Sequence, residues 1–221
     1  DIAPMLAEAK RQLHEEADYE REGRCLARFG ALLADRPEFR VPALDPDLTT
    51  PSVLAMTYVE GRPIDALAGA PQGERDRVTT LLIDLLFREL FEFRLMQTDP
   101  NFANYRYSPA TGQVILLDFG ATRAFPDDFA DLWRRLLRTG LAGDRDGIRA
   151  AARDIGFLAG DTPARLEDAM LAMFEMSLEP LRQEAPFDFG ASDLAMRMRD
   201  AGMAMAEDHA YFRIPPMDTL F

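Results

Sequence analysis

The sequence predicts an α+β fold that is mainly helical and carries one small β-hairpin, and three features support this. An apolar stretch at 77–96 is typical of a helix buried inside a lobe. Two short strand patterns, 104–107 and 113–117, flank the turn-forming segment Ser-Pro-Ala-Thr-Gly and predict the hairpin. Further helical patterns fill most of the chain after residue 127. With 221 residues and 48% hydrophobic content, the chain can bury a core.

The remaining elements follow from periodicity and from helix-breaking residues. Residues 3–34 predict one long helix, continuous or broken, which Pro37 ends. The apolar run 53–59 is rich in strand formers and leads into Glu-Gly-Arg-Pro, so it predicts a strand entering a turn. Asp127 or Asp128 is the candidate N-cap of the next helix. The later helices are predicted near 144–156, 163–183 and 191–210.

Composition excludes several classes of protein. The formal net charge is −13, with 38 acidic and 25 basic residues, so we expect no nucleic-acid partner because a phosphate backbone would be repelled. A single cysteine, Cys25, excludes an internal disulfide framework. His14 and His209 have no Cys or His neighbours at metal-ligand spacing, so we expect no zinc-type centre.

The residues that point to chemistry are Asp99, Asn104 and Asp118. Phosphoryl transfer needs a carboxylate at the incoming nucleophile and oxygen ligands for the metal ions that bridge the phosphates. In the protein-kinase signature, the loop aspartate is followed five residues later by asparagine, and a second aspartate opens an Asp-Phe-Gly after a strand. Both spacings occur here, and the predicted hairpin returns Asp118 to the neighbourhood of Asn104.

Each half of this pattern has an ordinary structural interpretation. Asp-Pro-Asn is a common turn, and an isolated Asp-Phe-Gly is a weak motif. A second Asp-Phe-Gly at 188–190 has no strand before it and no loop asparagine, so we interpret that copy as a turn. The joint pattern around Asp99 and Asp118, with helix, loop and hairpin in order, indicates a kinase-type site.

Two segments resemble the UbiB/AarF/ADCK family of atypical kinases. They are Met-Gln-Thr-Asp-Pro-Asn-Phe-Ala-Asn at 96–104 and Leu-Leu-Asp-Phe-Gly-Ala-Thr-Arg at 116–123. Ordinary protein kinases would carry His-Arg-Asp in the loop, and aminoglycoside or choline kinases His-Gly-Asp. The resemblance covers nearly the whole chain. It implies a protein-kinase-like fold, predominantly the helical C-lobe with a small catalytic β-hairpin.

The resemblance also implies roles for individual residues, with ATP and Mg²⁺ as cofactors. Asp99 would be the catalytic-loop carboxylate, and Asn104 and Asp118 the Mg²⁺ ligands. Glu16 would be the helix glutamate that pairs with the nucleotide-positioning lysine, although from the residues alone Glu16 and Glu22 are only exposed acids on a helix. The hinge that holds adenine would be the main chain of Met56, Thr57, Tyr58 and Val59.

Two domains are expected: 1–60, the glutamate-bearing helix and hinge strand, and 61–221, the helical C-lobe with the catalytic loop and an incomplete C-terminus. Such a fold needs a phosphate-covering loop and a strand lysine before the glutamate-bearing helix. Lys10 is the only lysine, and in the predicted helix it would lie about 9 Å from Glu16 along the same axis, so we do not expect it to face that glutamate. We therefore expect a fragment that lacks most of the N-lobe and is inactive alone.

The expected function of the whole protein is that of a UbiB-type, ATP- and Mg²⁺-binding kinase or ATPase that supports ubiquinone (coenzyme Q) biosynthesis. No Ala-Pro-Glu or long activation segment follows Asp118, which favours a small molecule, a lipid of the quinone pathway or water as acceptor. The expected location is a bacterial-type cytoplasm, with attachment to the inner membrane as a family property. The alternatives are an aminoglycoside- or choline-type phosphotransferase and a non-catalytic pseudokinase-like interaction module.

Overall fold

The computed structural model describes residues 18–99 and 101–206. The chain divides into two compact units, with the boundary between Phe125 and Pro126. The lobe boundary expected near residue 60 concerns a different division, and it stays a prediction. The candidate site lies entirely in the first unit.

The first helix, α1, spans Tyr19–Leu32. It begins where Asp18 Oδ1 accepts a hydrogen bond from the Arg21 N–H at 3.0 Å, which satisfies one of the unpaired amides at the helix start. Its buried stripe includes Leu26 and Phe29, both fully inaccessible to solvent. The part of the predicted 3–34 helix before residue 18 lies outside the described residues.

A four-stranded sheet forms the frame of the first unit. Its strands are β1 (Phe39–Arg40), β2 (Arg62–Pro63), β4 (Tyr105–Ser108) and β5 (Gln113–Leu116). Their order is β1-β5-β4-β2, and only the β1–β5 pair is parallel. The predicted hairpin is confirmed, since β4 and β5 pair in antiparallel register to within one residue of the predicted strands. Gly112 closes the turn at φ +71°, a conformation that favours glycine.

The strand predicted at 53–59 is wrong. This segment makes only isolated bridges, Leu44 with Met56 and Thr50 with Val53. Val53 and Tyr58 are exposed, at 53% and 91% of their accessible surface. The apolar composition of the run therefore does not reflect burial in a sheet, because no strand among the described residues extends alongside it for more than one pair.

The helix predicted at 77–96 is correct in its body and wrong at its end. Helix α2 spans Gln72–Arg88 and continues as a short π-helix, Glu89–Phe93. Arg94 then turns the chain with φ +52°, and β3 (Leu95–Gln97) follows. The antiparallel partner of β3 is β6 (Thr122–Ala124). Residues Leu95–Gln97, which precede the loop that carries Asp99, therefore pair with β6 and do not continue the helix.

The described residues of the second unit, 126–206, are mainly helical. The helices are α3 (Asp127–Leu141), α4 (Arg145–Ile155), α5 (Ala164–Ser177) and α6 (Leu194–Ala206), with a 3₁₀ turn at Glu179–Leu181. Asp127 and Asp128 lie in the first turn of α3, so the N-cap predicted there is wrong; Pro126 occupies that position. Asp144 does cap α4 through the Gly147 N–H.

The two units have separate apolar cores. In the first, Phe119 packs on Phe29 of α1 with ring centroids 5.0 Å apart, and neither ring is accessible to solvent. The core of the second unit is centred on Ile148 and Leu171. These elements give the α+β class predicted from the sequence. Within residues 18–99 and 101–206, no helix is long and apolar enough to cross a membrane.

Candidate active site

The loop after β3 places Asp99 beside Asn104. The Asn104 Nδ2 group donates a hydrogen bond to Asp99 Oδ2 at 3.1 Å. A 3₁₀ turn at Phe102–Asn104 brings the asparagine round, and Asn101 Oδ1 supports it by accepting from the Ala103 N–H at 3.0 Å. Asp99 is exposed and Asn104 is half-buried. A carboxylate open to solvent is thus held by an amide from the same loop.

The hairpin joins this loop to Asp118. The Leu117 N–H donates to the Asn104 carbonyl at 3.1 Å, one pair beyond the β4–β5 ladder. Asp118 follows directly, and its Oδ1 accepts from the Gly120 N–H at 2.9 Å. At the other end of the loop, Thr98 Oγ1 donates to the Ala121 carbonyl at 2.6 Å. The structure therefore ties the Asp99 loop to the Asp-Phe-Gly segment on both sides of the predicted site.

Glu22, on α1, reaches the same segment, and the interpretation of it as an exposed helix acid is wrong. It is only 7% exposed, and its Oε1 accepts from the Phe119 N–H at 3.3 Å. Burial raises the pKa of the Glu22 carboxyl; the Phe119 N–H lowers it, the Asp118 charge raises it and the Arg21 charge lowers it. Periodicity offered a signal, because Glu22 falls on the same stripe of α1 as Leu26 and Phe29.

Arg21, the preceding residue, was not identified from the sequence at all. Its Nη1 donates to the Gly120 carbonyl at 2.6 Å, and its Nη2 donates to the Thr122 carbonyl. The two bonds hold the main chain immediately after Asp-Phe-Gly. Together with Glu22, they make α1 the support of Asp118.

The other predicted nucleotide-binding residues are Glu16 and the hinge at 56–59. Glu16 lies outside the described residues. In the predicted hinge, the Thr57 N–H donates to the Ala43 carbonyl at 2.9 Å, and Thr57 Oγ1 accepts from the Ala43 N–H at 2.9 Å. Met56 packs against the core, Val59 is half-buried and Tyr58 projects into solvent. Their assignment as a hinge stays a prediction.

The donor atoms at Asn104 and Asp118 fit a hard divalent cation. Asn104 Nδ2 is directed at Asp99, and its Oδ1 accepts no hydrogen bond from any described residue. Asp118 uses one carboxylate oxygen on Gly120 and keeps the other. Within the described ranges, no three His, Cys, Asp or Glu side chains cluster as a metal site. The set suits Mg²⁺, which takes a few protein oxygens and completes its shell with water and phosphate.

Comparison with known proteins identifies the family. Residues 1–152 match the model of the ABC1 atypical kinase-like domain. The chain belongs to this family. The chain is 39% identical over 214 residues to the mitochondrial atypical kinase COQ8B of Rattus norvegicus. The aligned region covers 97% of this chain and 40% of that protein. It is 37% identical over 196 residues to the mitochondrial atypical kinase COQ8 of Saccharomyces cerevisiae, and the aligned region covers 88% of this chain and 39% of that protein.

The chain spans about two fifths of the length of these two relatives. Among known structures, it resembles Rv3197 of Mycobacterium tuberculosis, determined as a complex with erythromycin, with a TM-score of 0.68. The identity is 23%, and the match covers 93% of this chain and 57% of that one. At this identity the likeness concerns the fold alone. The family and the kinase-like fold predicted from the sequence are both confirmed.

Proposed function

We propose that this ABC1-family chain carries the metal-and-acceptor half of an ATP-dependent phosphoryl-transfer site. The observation that carries the proposal is the backbone bond from Leu117 to Asn104, together with the Asn104 side-chain bond to Asp99. These two bonds bring a solvent-open carboxylate, an amide oxygen and a second carboxylate onto adjoining segments. That is the set of groups which phosphoryl transfer requires.

In this proposal Asp99 orients or deprotonates the acceptor. The Asn104 amide holds Asp99 Oδ2, which leaves Oδ1 to accept the proton of an incoming hydroxyl or water. Asn104 Oδ1 and Asp118 would hold Mg²⁺, which supplies charge neutralisation at the phosphates of ATP when bound. The Gly120 N–H holds the Asp118 carboxylate, and Arg21 in turn holds the Gly120 carbonyl.

We further propose Glu22, in place of Glu16, as the helix glutamate that pairs with the nucleotide-positioning lysine of kinase folds. Glu22 is buried, it lies beside the Asp118 charge, and its pKa is raised chiefly by burial. A lysine ammonium between Glu22 and the phosphates would offset the cost of that buried carboxylate. This supports Glu22, whereas Glu16 lies outside the described residues.

The finer assignments come from the family. We propose a small molecule, a lipid of the quinone pathway or water as acceptor, and a role in supporting ubiquinone biosynthesis. We also retain the lobe assignment 1–60 and 61–221, the adenine hinge at 56–59, and a bacterial-type cytoplasmic location with peripheral membrane contact. The mitochondrial atypical kinases that this chain resembles support the general class of function.

The test uses the full-length protein and a matched pair of aspartates. We expect Asp99→Ala to lose at least about a hundredfold in kcat for ATP hydrolysis while keeping nucleotide affinity, since it removes a group that acts on the acceptor. Asp118→Ala should instead lose the Mg²⁺-dependent part of nucleotide affinity, measured by titration calorimetry. Asp188→Ala, which removes the first residue of the second Asp-Phe-Gly, is the control and should match the wild type.

Undiminished turnover in either Asp99→Ala or Asp118→Ala would refute the proposed site. Nucleotide binding that depends on Asp118 without any turnover in the wild type would instead support the non-catalytic interaction module. A screen of small-molecule hydroxyl acceptors with the active protein would separate hydrolysis from phosphotransfer.

A further inference from the structure

A second buried carboxyl, Glu89, lies beneath the catalytic loop and has no part in the site described so far. It opens the π-helix at Glu89–Phe93 and is only 3% exposed. Its Oε2 accepts from the Gln97 main-chain N–H at 3.0 Å, and the Gln97 side-chain Nε2 lies 3.4 Å from its Oε1. Gln97 is the last residue of β3 and stands two positions before Asp99. Glu89 therefore holds the strand at the point where the loop leaves it.

The hydrogen bond from the Gln97 N–H to Glu89 stands in place of a main-chain bond between β3 and β6. Gln97 is paired with Thr122 across β3 and β6, but its N–H donates to the Glu89 side chain. The next residue, Thr98, donates to the Ala121 carbonyl. Glu89 thus supplies the acceptor for the last N–H of β3 before the loop.

The surroundings of Glu89 are poor in positive charge. It forms no ion pair with a described residue, and the preceding Arg88 pairs with Asp84 and Glu92. The titratable group on another element that is influenced by the Glu89 charge is Tyr105 on β4. Burial raises the pKa of Tyr105 to about 12, and the charges of Glu89 and then Asp99 add to this rise. Burial raises the pKa of Glu89 to about 8, although both Gln97 contacts lower it.

The side chain of Gln97 has a buried hydrogen-bond acceptor without a partner in the part of the chain that the structure describes, and a protonated carboxyl could donate to it. Its Oε1 is buried and has no hydrogen-bond partner among the described residues, and the same is true of Thr122 Oγ1 at the paired position of β6. The two ends of a glutamine amide are distinguished by their hydrogen bonds. With the amide turned over, Gln97 Oε1 would face Glu89 Oε1 and accept a hydrogen bond from the protonated carboxyl, while Glu89 Oε2 would still accept from the Gln97 N–H.

We propose that Glu89 is a positioning residue that fixes the main chain at Gln97 and thereby the place of Asp99. The inference rests on the proposed function, because it assigns Asp99 to the acceptor. Loss of the carboxyl frees the end of β3 and lets the loop move. Loss of the proton leaves a buried carboxylate without an ion-pair partner among the described residues at the end of β3.

The experiment compares Glu89→Ala, Glu89→Gln and Glu92→Gln in the full-length protein. The side chain introduced by Glu89→Gln would keep both the acceptor for the Gln97 N–H and a donor for the Gln97 amide oxygen. The exposed Glu92 on the same π-helix is the matched control. We expect Glu89→Ala to lose at least about tenfold in kcat with an unchanged KM for ATP, because the nucleophile side alone is displaced. Glu89→Gln should retain kcat at pH 7.

The pH profile gives a readout that a merely structural role would not move. Wild-type kcat should fall as the pH rises through about 8, where Glu89 ionises, and this fall should be absent in Glu89→Gln. Hydrogen exchange followed at the Gln97 amide gives a second readout that needs no turnover. Exchange should accelerate in Glu89→Ala and stay slow in Glu89→Gln and Glu92→Gln.

The outcomes separate the two proposals. A wild type without turnover refutes the proposed function, and the Gln97 exchange rate then decides the role of Glu89. An active wild type with Glu89→Ala equal to Glu92→Gln in kcat and exchange overturns the inference. Equal loss of kcat in folded Glu89→Gln and Glu89→Ala also overturns it. If Glu89→Ala does not fold, the pH profile and the exchange rate of Glu89→Gln decide.

Discussion

The chain contains Asp-Phe-Gly twice, at 118–120 and 188–190, and the two copies share one local hydrogen bond. In each, the aspartate Oδ1 accepts from the glycine N–H two residues later at 2.9 Å. In the second copy, Oδ1 also accepts from the Ala191 N–H at 3.1 Å. The tripeptide by itself therefore makes an Asx-type turn, the local hydrogen bond that aspartate favours in turns.

What differs is everything beyond the tripeptide. Phe119 is fully buried against Phe29, whereas Phe189 is 59% exposed and its ring lies against that of its neighbour Phe187, at 4.7 Å between centroids. The first copy follows a strand and is held by Arg21 and Glu22 from α1. The comparison teaches that partners almost a hundred residues away, and not the motif, separate a candidate site from a turn.

Removing the two phenylalanines should give the largest contrast. Phe119→Ala should lower the free energy of unfolding by about 3–5 kcal/mol, because it leaves a cavity in the core. Phe189→Ala should change it by no more than about 0.5 kcal/mol, as for an exposed position. Denaturant unfolding of both variants measures the difference. Equal losses would mean that the second copy is as structurally important as the first.

Arg21→Ala tests the hydrogen bonds that only the first copy receives. Two carbonyls, of Gly120 and Thr122, would lose a charged donor, so we expect a loss of about 1–3 kcal/mol in stability. Arg21→Lys should not restore it fully, because an ammonium cannot reproduce the planar fork. Arg24→Ala, at an exposed position of α1, is the control. A neutral result for Arg21→Ala would remove α1 from the support of Asp118.

Glu22→Gln tests the electrostatic side of the comparison. Since the pKa of Glu22 is raised in the folded state, its favourable contribution is full below pH 4.5 and is lost as the pH rises through the raised value. The slope is at most about 1.4 kcal/mol per pH unit. Stability of Glu22→Gln should depend less on pH in that range. Glu20→Gln, at an exposed position of the same helix, is the control and should keep the wild-type pH dependence of stability. If Glu22→Gln also kept the wild-type pH dependence, this would contradict the burial of Glu22.

The smallest effect is expected at the glycines. A Cβ at Gly120 would lie 3.4 Å from Asp118 Oδ1 and 3.5 Å from Glu22 Oε2, and one at Gly190 would lie 3.3 Å from Asp188 Oδ1. Both alanine variants should therefore cost less than about 1 kcal/mol in unfolding measurements. Only Gly120→Ala should alter Mg²⁺-dependent nucleotide affinity, since it adds a methyl group between two site carboxylates. An effect at Gly190 alone would reverse the assignment of the two copies.

The sequence predicts those parts of the molecule that depend on neighbouring residues. The hairpin, the loop joining Asp99 to Asn104, and the turn at 188–190 all follow from local spacing and turn chemistry. The end of α2 was missed because the π-helix and the left-handed Arg94 redirect an apolar run into β3. At 53–59, strand-forming residues had no partner strand to pair with beyond single bridges.

The supporting contacts of the candidate site were harder to predict, because they join residues that are far apart in the sequence. Glu22 lies on the apolar stripe of α1, and that periodicity was available as a signal. Arg21 donates to main-chain carbonyls, and every residue has a carbonyl, so no side-chain pattern marks its partners. Glu89 looks like one acid among many until its burial is known. These contacts depend on tertiary packing, which spacing along the chain does not encode.

The β4–β5 ladder has a practical consequence for labelling the protein. Its last pair, Ser108 with Gln113, closes the hairpin before the turn, while the Leu117–Asn104 bond lies at the opposite end. Pro109 and Ala110 at the tip are exposed. A short epitope or fluorophore-binding tag inserted between them would extend away from the ladder and leave the strand register unchanged. The hairpin is therefore a natural attachment point for a reporter that leaves Asp118 undisturbed.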